Sequence, residues 1–230
     1  MLTLAFDTSS KTAAVAILRD GVIVYDVISN TGLNHSEILL PSIDYACRQS
    51  GIKINDIDLF ACTIGPGAFT GLRVSVSTLK GLLLATGKPA VGVSSLAALA
   101  LNISGRAALV CPVIDAGRGQ VYAGYYSCND RDLIDQIDPE RIACPEEILS
   151  NSNQDIIFIG DGAVKYRDLI LEKTKKAKIA SVMQQHIRAS AVAILGQEKL
   201  NRNELLNPDA FVPVYLRPTD AKPGKTLFDK

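Results

Sequence analysis

Short apolar runs at the start of the chain predict three β-strands, over residues 2–6, 13–18 and 22–28. The turn at residues 19–21 has the composition of a tight hairpin, so the last two of these strands are expected to pair antiparallel. Apolar residues then recur at helical spacing from 36 to 50, which predicts the first helix. The chain therefore opens with three strands followed by a helix.

A second, similar opening follows in the other half of the chain. The first half continues with a strand at 59–63, a helix at 72–86, a strand at 90–93 and a helix at 95–102. The second half predicts strands at 108–114, 121–126, 133–137 and 156–159, with helices at 145–149 and 189–201. This repetition predicts two lobes built alike, which we divide as residues 1–104 and 105–230, the second lobe ending in an extended tail.

Composition narrows the class of protein. The chain has 230 residues, 24 Lys and Arg against 24 Asp and Glu, and 47% hydrophobic residues. A balanced charge argues against a protein that binds nucleic acid by itself. Binding of RNA together with a partner protein stays possible on this criterion. The five cysteines form neither a disulfide framework nor a zinc motif, and their apolar neighbours predict core positions. No signal peptide or membrane span is expected, so we predict a cytoplasmic protein.

An acidic residue ends the first strand of each half. Asp7 begins the turn Asp-Thr-Ser-Ser, and Asp115 begins the turn Asp-Ala-Gly. Paired openings of this kind resemble the actin, Hsp70 and sugar-kinase superfamily, in which backbone N–H groups of these turns hold a nucleotide phosphate and the aspartate orients metal-bound water. The resemblance implies an α/β, two-lobed actin-like (ASKHA or RNase H-like) fold with duplicated βββαβα units.

The same resemblance assigns candidate nucleotide-binding residues, but it also indicates a weak or vestigial site. Active members usually carry glycine where Ser9 stands, and a Cβ obstructs the approach of backbone to phosphate. The site is expected to require no cofactor, while weak ATP or ADP binding stays open. The candidate nucleotide-binding residues are Asp7, Ser9, Asp115, Gly117 and Gly160.

The loop Gly-Pro-Gly-Ala-Phe-Thr-Gly at residues 65–71 joins a strand to a helix. It is not a P-loop, because the Walker pattern ends in Gly-Lys followed by Ser or Thr, and this loop continues into Leu72 and Arg73. Two interpretations stay open. The loop is either a rigid strand-to-helix connection or a special surface that a ligand or partner reads.

Residues for metal or nucleophile chemistry are sparse. The sequence holds two histidines, His35 and His186, without metal-binding spacing, and it lacks a Gly-x-Ser-x-Gly elbow. We therefore predict no catalytic residues and no metal ligands. The first helices, by contrast, are apolar over more than one stripe, which favours a second buried face against another chain. The predicted interface residues are His35, Ile38, Leu39, Ile43, Phe69, Leu72, Arg73, Ser75, Val76 and Leu79.

The segment GPGAFTGLR, together with DTSS, NHSEILLP and VPVYLRPTDA, resembles the bacterial TsaB (YeaZ) family over nearly the whole chain. The resemblance implies a pseudo-enzyme that forms a heterodimer with a TsaD-like catalytic subunit and works with a TsaE-like ATPase. That complex places a threonylcarbamoyl group on N6 of the adenosine beside the anticodon in tRNAs that read A-starting codons. TsaD-type proteins carry a metal through His-x-x-x-His, whereas this chain offers His35 followed by Leu39. The family more often has Ser where Ala68 stands.

Two functions remain to be separated. The first is a non-catalytic scaffold that reaches tRNA only through the complex, with a homodimer possible when the partner is absent. The second is a stand-alone ATPase or small-molecule kinase that uses Asp7 and Asp115 at a magnesium–nucleotide site. The basic run at 172–178 is either a solvated helix end or a contact for RNA phosphate.

Overall fold

The computed structural model describes residues 1–105, 108–149, 154–208 and 210–217. Its strands form two five-stranded sheets, each made from one half of the chain. Both sheets are mixed, with antiparallel pairs on one side of the first strand and parallel pairs on the other. The pattern of short strands followed by helices therefore folds as the sequence predicts.

The first sheet has the strand order β3-β2-β1-β4-β5. Its strands are β1 (Leu2–Asp7), β2 (Ala13–Arg19), β3 (Val22–Ser29), β4 (Leu59–Gly65) and β5 (Ala90–Ser94). Its helices are α1 (His35–Gln49), α2 (Phe69–Thr86) and α3 (Ser95–Leu101). Because β1 and β4 are buried on both faces, they read as continuous apolar runs in the sequence.

The second sheet repeats this order as β8-β7-β6-β9-β10. Its strands are β6 (Leu109–Gly117), β7 (Gln120–Cys128), β8 (Ile134–Ala143), β9 (Ile156–Ile159) and β10 (Ala177–Ile179). The helices α4 (Asp161–Lys165), α5 (Arg167–Lys173) and α6 (Ala189–Asn201) complete the described part. The matching orders confirm the predicted two-lobed, actin-like α/β fold with a duplicated unit.

Some elements differ from the sequence-based prediction. Helix α2 begins at Phe69, three residues before the predicted start, so the end of the glycine-rich loop is already helical. Strand β8 extends to Ala143, well past the predicted end at 137. The short elements α4, α5 and β10 were not predicted, because each is too brief to show a full apolar period. Lys175, in the basic run, is an exposed residue between α5 and β10.

Helix α6 follows the second sheet in sequence but packs on the first sheet. A Cβ placed at Gly196 would lie 2.8 Å from the Cβ of Ala61 and 3.0 Å from Val91, so glycine lets the helix approach the sheet closely. Gln197 Nε2 also donates a hydrogen bond to Thr3 Oγ1 at 2.9 Å. The chain thus crosses back to the first lobe after the second sheet. The division of the chain into lobes of residues 1–104 and 105–230 stays a prediction.

The cysteines fall into two groups. Cys47, Cys62 and Cys111 are buried, as their apolar neighbours predict, whereas Cys128 is half-buried and Cys144 is exposed. Burial raises the pKa of the Cys62 and Cys111 thiols, so both stay protonated and unreactive.

Within the described ranges, no helix is both long enough and apolar enough to cross a bilayer.

Candidate functional site

The turn between β1 and β2 is closed by the glycine-rich loop that follows β4. The amide of Ala68 donates a hydrogen bond to the Ser9 carbonyl oxygen at 2.7 Å. A Cβ at Gly67 would lie 2.3 Å from the same Ser9 oxygen, and a Cβ at Gly71 would lie 1.8 Å from the Thr8 oxygen. Only glycine permits this approach, so the loop backbone occupies the face of the turn.

Hydroxyl groups and a histidine fix both helices to this turn. Thr8 Oγ1 donates to the Gly71 carbonyl at 2.7 Å and lies 2.6 Å from Ser75 Oγ. His35 Nε2, at the start of α1, donates to the Ser10 carbonyl at 2.9 Å. These contacts hold the loop against the turn, as expected of a rigid strand-to-helix connection. That a partner or ligand also reads it stays a prediction.

Asp7 is fully buried beneath the closed turn. Its Oδ1 accepts hydrogen bonds from the Ser9 amide at 3.0 Å, from Ser9 Oγ at 2.5 Å and from Thr63 Oγ1 at 2.5 Å. Its Oδ2 is buried without a hydrogen-bond partner in the described part of the chain. Burial raises the pKa of this carboxyl, and the hydrogen bonds offset that rise only in part. Asp7 and Ser9 are therefore both buried, and a role for them toward a nucleotide stays a prediction.

The equivalent turn of the second lobe is open. Asp115 is half-buried, and its Oδ2 accepts a hydrogen bond from Lys165 Nζ at 2.8 Å. Its Oδ1 accepts from the Gly117 amide at 3.0 Å. Burial acts to raise the pKa of Asp115, but Lys165 and the Gly117 amide outweigh it, and the pKa is lowered overall. Asp115 is thus a charged group near the surface.

Gly160 lies behind this second turn. Its amide donates to Gln185 Oε1 at 2.6 Å, and a Cβ there would lie 2.4 Å from the Val113 carbonyl oxygen. Gly160 also has a φ of 110°, which a side chain rarely adopts. The glycine is therefore explained by close packing on β6, and a role toward adenosine stays a prediction.

One cavity between the two lobes lies beside the β1–β2 turn. Its volume is about 80 Å³, and its lining includes Ser10, Lys11, Thr12 and Asp161. Small-molecule sites usually enclose roughly 300 Å³ or more. None of the five predicted nucleotide-binding residues lines this cavity. Among the described residues, no group of three His, Cys, Asp or Glu side chains is placed to hold a metal ion.

Most of the predicted partner-interface residues are inside the chain. Helices α1 and α2 turn their main apolar stripe onto the first sheet, because burying that stripe is what holds an amphipathic helix to a sheet. His35 and Ile38 are half-buried, whereas Phe69 and Arg73 are exposed. The following predicted side chains are buried within the chain, and a role for them in partner binding stays a prediction: Leu39, Ile43, Leu72, Ser75, Val76 and Leu79.

Other positions on the same helices carry exposed apolar side chains that sequence reasoning did not select. Leu84 is 93% exposed, and Leu40 and Tyr45 are each more than half exposed. Ser77 and Gly81 are exposed on α2, and a Cβ at Gly81 would meet nothing within 4 Å. Assigning the helical period to two separate faces would have found these residues. We call Leu40, Tyr45, Ser77, Gly81 and Leu84 the outer helix face.

An aromatic stack lies at the start of α2, beside the closed loop. The Arg73 guanidinium lies 3.8 Å from the Phe69 ring centroid, and the Phe69 and Tyr215 rings are 4.9 Å apart. The amide of Val214 donates to the Ile64 carbonyl at 2.7 Å, which ties the C-terminal segment to the end of β4. Tyr215 was absent from the predicted site residues, because it is far from Phe69 in sequence.

The chain is similar to proteins of tRNA threonylcarbamoyladenosine biosynthesis. The family model for TsaD, tRNA N6-adenosine threonylcarbamoyltransferase, matches residues 29–225. A TsaB biosynthesis protein from Bacillus subtilis is 31% identical, with 96% of each chain covered. The solved structure of YeaZ from Pseudomonas aeruginosa has a TM-score of 0.80 at 27% identity, and the similarity covers 94% of this chain and 99% of that one.

A transferase from Kosmotoga olearia, tRNA N6-adenosine threonylcarbamoyltransferase, is also similar, at 35% identity. That similarity covers 42% of this chain and 34% of the transferase. The similarity to TsaB, in contrast, extends over almost the whole of both chains. On this evidence the chain belongs to the TsaB (YeaZ) family of tRNA threonylcarbamoyladenosine biosynthesis proteins.

Proposed function

We propose that this chain is a non-catalytic subunit that binds and supports a TsaD-like catalytic subunit, together with a TsaE-like ATPase. The complex installs threonylcarbamoyl on N6 of the adenosine beside the anticodon in tRNAs that read A-starting codons. In this proposal the chain needs no cofactor of its own, reaches tRNA only through the complex and acts in the cytoplasm.

The closed turn of the first lobe is the observation that carries the proposal. An actin-like enzyme needs free backbone N–H groups and an accessible aspartate at this turn. Here the Ser9 amide is bonded to Asp7 Oδ1, the backbone at Gly67 and Gly71 packs on the carbonyl oxygens of the turn, and Asp7 is buried. Opening the site would break these contacts, so the first lobe favours a structural role over catalysis.

The start of α1 supports the same conclusion. His35 uses its Nε2 to hold the Ser10 carbonyl, and the residue four positions later, Leu39, is packed in the core. A helix that binds a metal with two histidines at this spacing would need both side chains to point toward one ion. In this chain the two positions serve to attach α1 to the turn and to the sheet.

We assign partner binding to the outer helix face. Exposed apolar side chains on adjacent helices are typical of surfaces that another protein covers. The small residues Ser77 and Gly81 leave room for a helix of the partner to approach α2 closely. The same face can bind a second copy of this chain when the TsaD-like subunit is absent.

A matched pair of variants tests this assignment. Leu84→Arg places a charge on the outer helix face, and Val182→Arg places the same charge on the second lobe, at a side chain that is 81% exposed. Neither change removes core packing, so both variants should fold with unchanged melting temperatures. We expect co-purification with the TsaD-like subunit to be lost for Leu84→Arg and retained for Val182→Arg. Retention by both variants would place the interface elsewhere.

A reconstitution experiment tests the non-catalytic role. The chain is assayed alone and with the TsaD-like and TsaE-like proteins for ATP hydrolysis and for modified adenosine in tRNA. We expect neither activity from the chain alone and tRNA modification only from the full mixture. Turnover of ATP by the chain alone, lost in Asp7→Asn, would instead support the kinase or ATPase alternative. Binding of ADP and ATP to the chain alone is measured in the same samples.

A further inference from the structure

A cavity of about 390 Å³ opens where the end of β5 meets β7, β8 and α6. It is separate from the outer helix face and from the small cavity between the lobes. Its volume is in the range of small-molecule sites in proteins. Apolar walls are provided by the following side chains: Ile64, Val93, Leu133, Ile134, Leu195 and Val214.

One carboxylate in this cavity is held in a fixed orientation. Ser94 Oγ and Tyr126 Oη both donate hydrogen bonds to Glu140 Oε1. The two donors lie on different strands, β5 and β7, so Glu140 on β8 is constrained from both sides. Burial and the nearby Glu140 charge raise the pKa of Tyr126, which keeps its hydroxyl protonated as a donor.

The second oxygen of this carboxylate is available. Glu140 Oε2 has no hydrogen bond from the residues the structure describes, and it is not among the fully buried unpartnered oxygens. Hydroxyl donors orient the carboxylate, but they do not neutralise its charge. Glu140 therefore presents a half-buried, oriented negative charge that no cationic side chain among the described residues balances.

Within the described residues, neither basic side chain of the lining, Lys199 or Arg202, forms an ion pair with Glu140. Lys199 is paired with Glu204 at 3.0 Å. Glu198 is paired with Arg131 at 3.5 Å. Acidic side chains in the lining outnumber basic ones, since Asp135, Glu140, Glu198 and Glu204 face only Lys199 and Arg202. The lining thus favours a positively charged ligand over an anion.

We propose that this cavity binds a small aliphatic amine, with the ammonium group on Glu140 Oε2 and the hydrocarbon stem along the apolar walls. An ammonium group supplies both the charge and the hydrogen-bond donors that the carboxylate lacks. The aliphatic stem gains burial against side chains such as Leu195 and Val93. This site is independent of partner binding by the outer helix face.

Calorimetric titration of the full chain with n-pentylamine tests the proposal, and 1-pentanol serves as an uncharged probe with the same stem. We expect saturable n-pentylamine binding at millimolar concentration or below and much weaker binding of 1-pentanol. Glu140→Gln should weaken n-pentylamine binding roughly tenfold or more, because it removes the charge but keeps the shape. Asp138→Asn removes a charge from the same strand outside the cavity lining and should leave the affinity unchanged.

Tyr126→Phe distinguishes the contribution of the orientation of the Glu140 carboxylate from the contribution of its charge. This variant keeps the carboxylate but removes one of its two donors, so we expect a loss of affinity smaller than that of Glu140→Gln. Melting temperatures of all variants are measured to verify folding. Equal binding of 1-pentanol and n-pentylamine, an absence of saturable n-pentylamine binding, or unchanged affinity in a folded Glu140→Gln would each overturn the proposal.

Discussion

The two lobes have the same strand order, but the turn after the first strand is covered in one lobe and exposed in the other. In the first lobe, the turn after Asp7 is covered by the loop backbone at Gly67 and Gly71, and the aspartate is buried. In the second lobe, the turn after Asp115 reaches the surface, and that aspartate pairs with Lys165. A duplicated fold therefore places two equivalent carboxyl groups in opposite environments.

The segment that follows the fourth strand of each lobe explains this difference. After β4, the backbone of Gly67 and that of Gly71, in the first turn of the 18-residue helix α2, pack on the β1–β2 turn. After β9, the chain enters the five-residue helix α4 directly, and Gly160 packs on the Val113 carbonyl behind the turn. Glycine permits close packing in both lobes, on the β1–β2 turn in the first lobe and on β6 in the second, so only the first-lobe turn is covered.

Substitution of Gly71 should change the free energy of unfolding the most, because the Gly71 backbone packs directly on the first-lobe turn. In an open helix, Gly→Ala stabilises by about 0.5–1 kcal/mol. A Cβ at Gly71, however, would lie 1.8 Å from the Thr8 carbonyl oxygen. We expect Gly71→Ala to lower the free energy of unfolding by about 3 kcal/mol, measured by urea denaturation.

Gly81 provides the control on the same helix. A Cβ there meets nothing within 4 Å, so Gly81→Ala should raise the free energy of unfolding by about 0.5–1 kcal/mol. The pair is thus expected to give effects of opposite sign. If Gly71→Ala were as harmless as Gly81→Ala, the first-lobe turn would be open in solution and the contrast between the lobes would disappear.

Asp7→Asn is expected to change the free energy of unfolding by the next largest amount and to stabilise the protein. Asn can accept the hydrogen bonds of Ser9 and Thr63 without carrying a charge into the core. Because burial raises the pKa of Asp7, its stabilising contribution is present below the unfolded value of 3.8 and is lost as the pH rises through the folded value. We expect Asp7→Asn to gain about 1 kcal/mol at neutral pH and little in acid. Thermal unfolding across pH measures this, and a loss of stability at neutral pH would contradict it.

Asp115→Asn should change the free energy of unfolding the least, and this change should depend on pH in the opposite sense to that of Asp7→Asn. The pKa of Asp115 is lowered, so its contribution is present above the unfolded value of 3.8 and is lost as the pH falls through the folded value. Because the pair with Lys165 is solvent-accessible, the loss at neutral pH should be below about 1 kcal/mol and should shrink with added salt. The same pH series tests it, and an effect as large as that of Asp7→Asn would mean that the second turn is also closed.

Local sequence patterns determined most of the secondary structure. The spans of β1, α1 and α6 follow directly from strand-like apolar runs or helical spacing, which depend on near neighbours in the chain. The repeated three-strand opening likewise specified two lobes with the same topology. The glycines at 67 and 71 indicated a tight loop, although not what the loop would touch.

Only the tertiary structure decided which groups are accessible. Asp7 and Asp115 look alike in sequence, but contacts across some 60 residues between Gly71 and the Thr8 turn bury the first. The same holds for α2, where packing on the sheet buries Leu72 and leaves Leu84 exposed, and for Glu140, which is oriented by Ser94 and Tyr126. Accessibility depends on groups that come together only when the sheets and helices pack, and the periodicity of one segment carries no record of them.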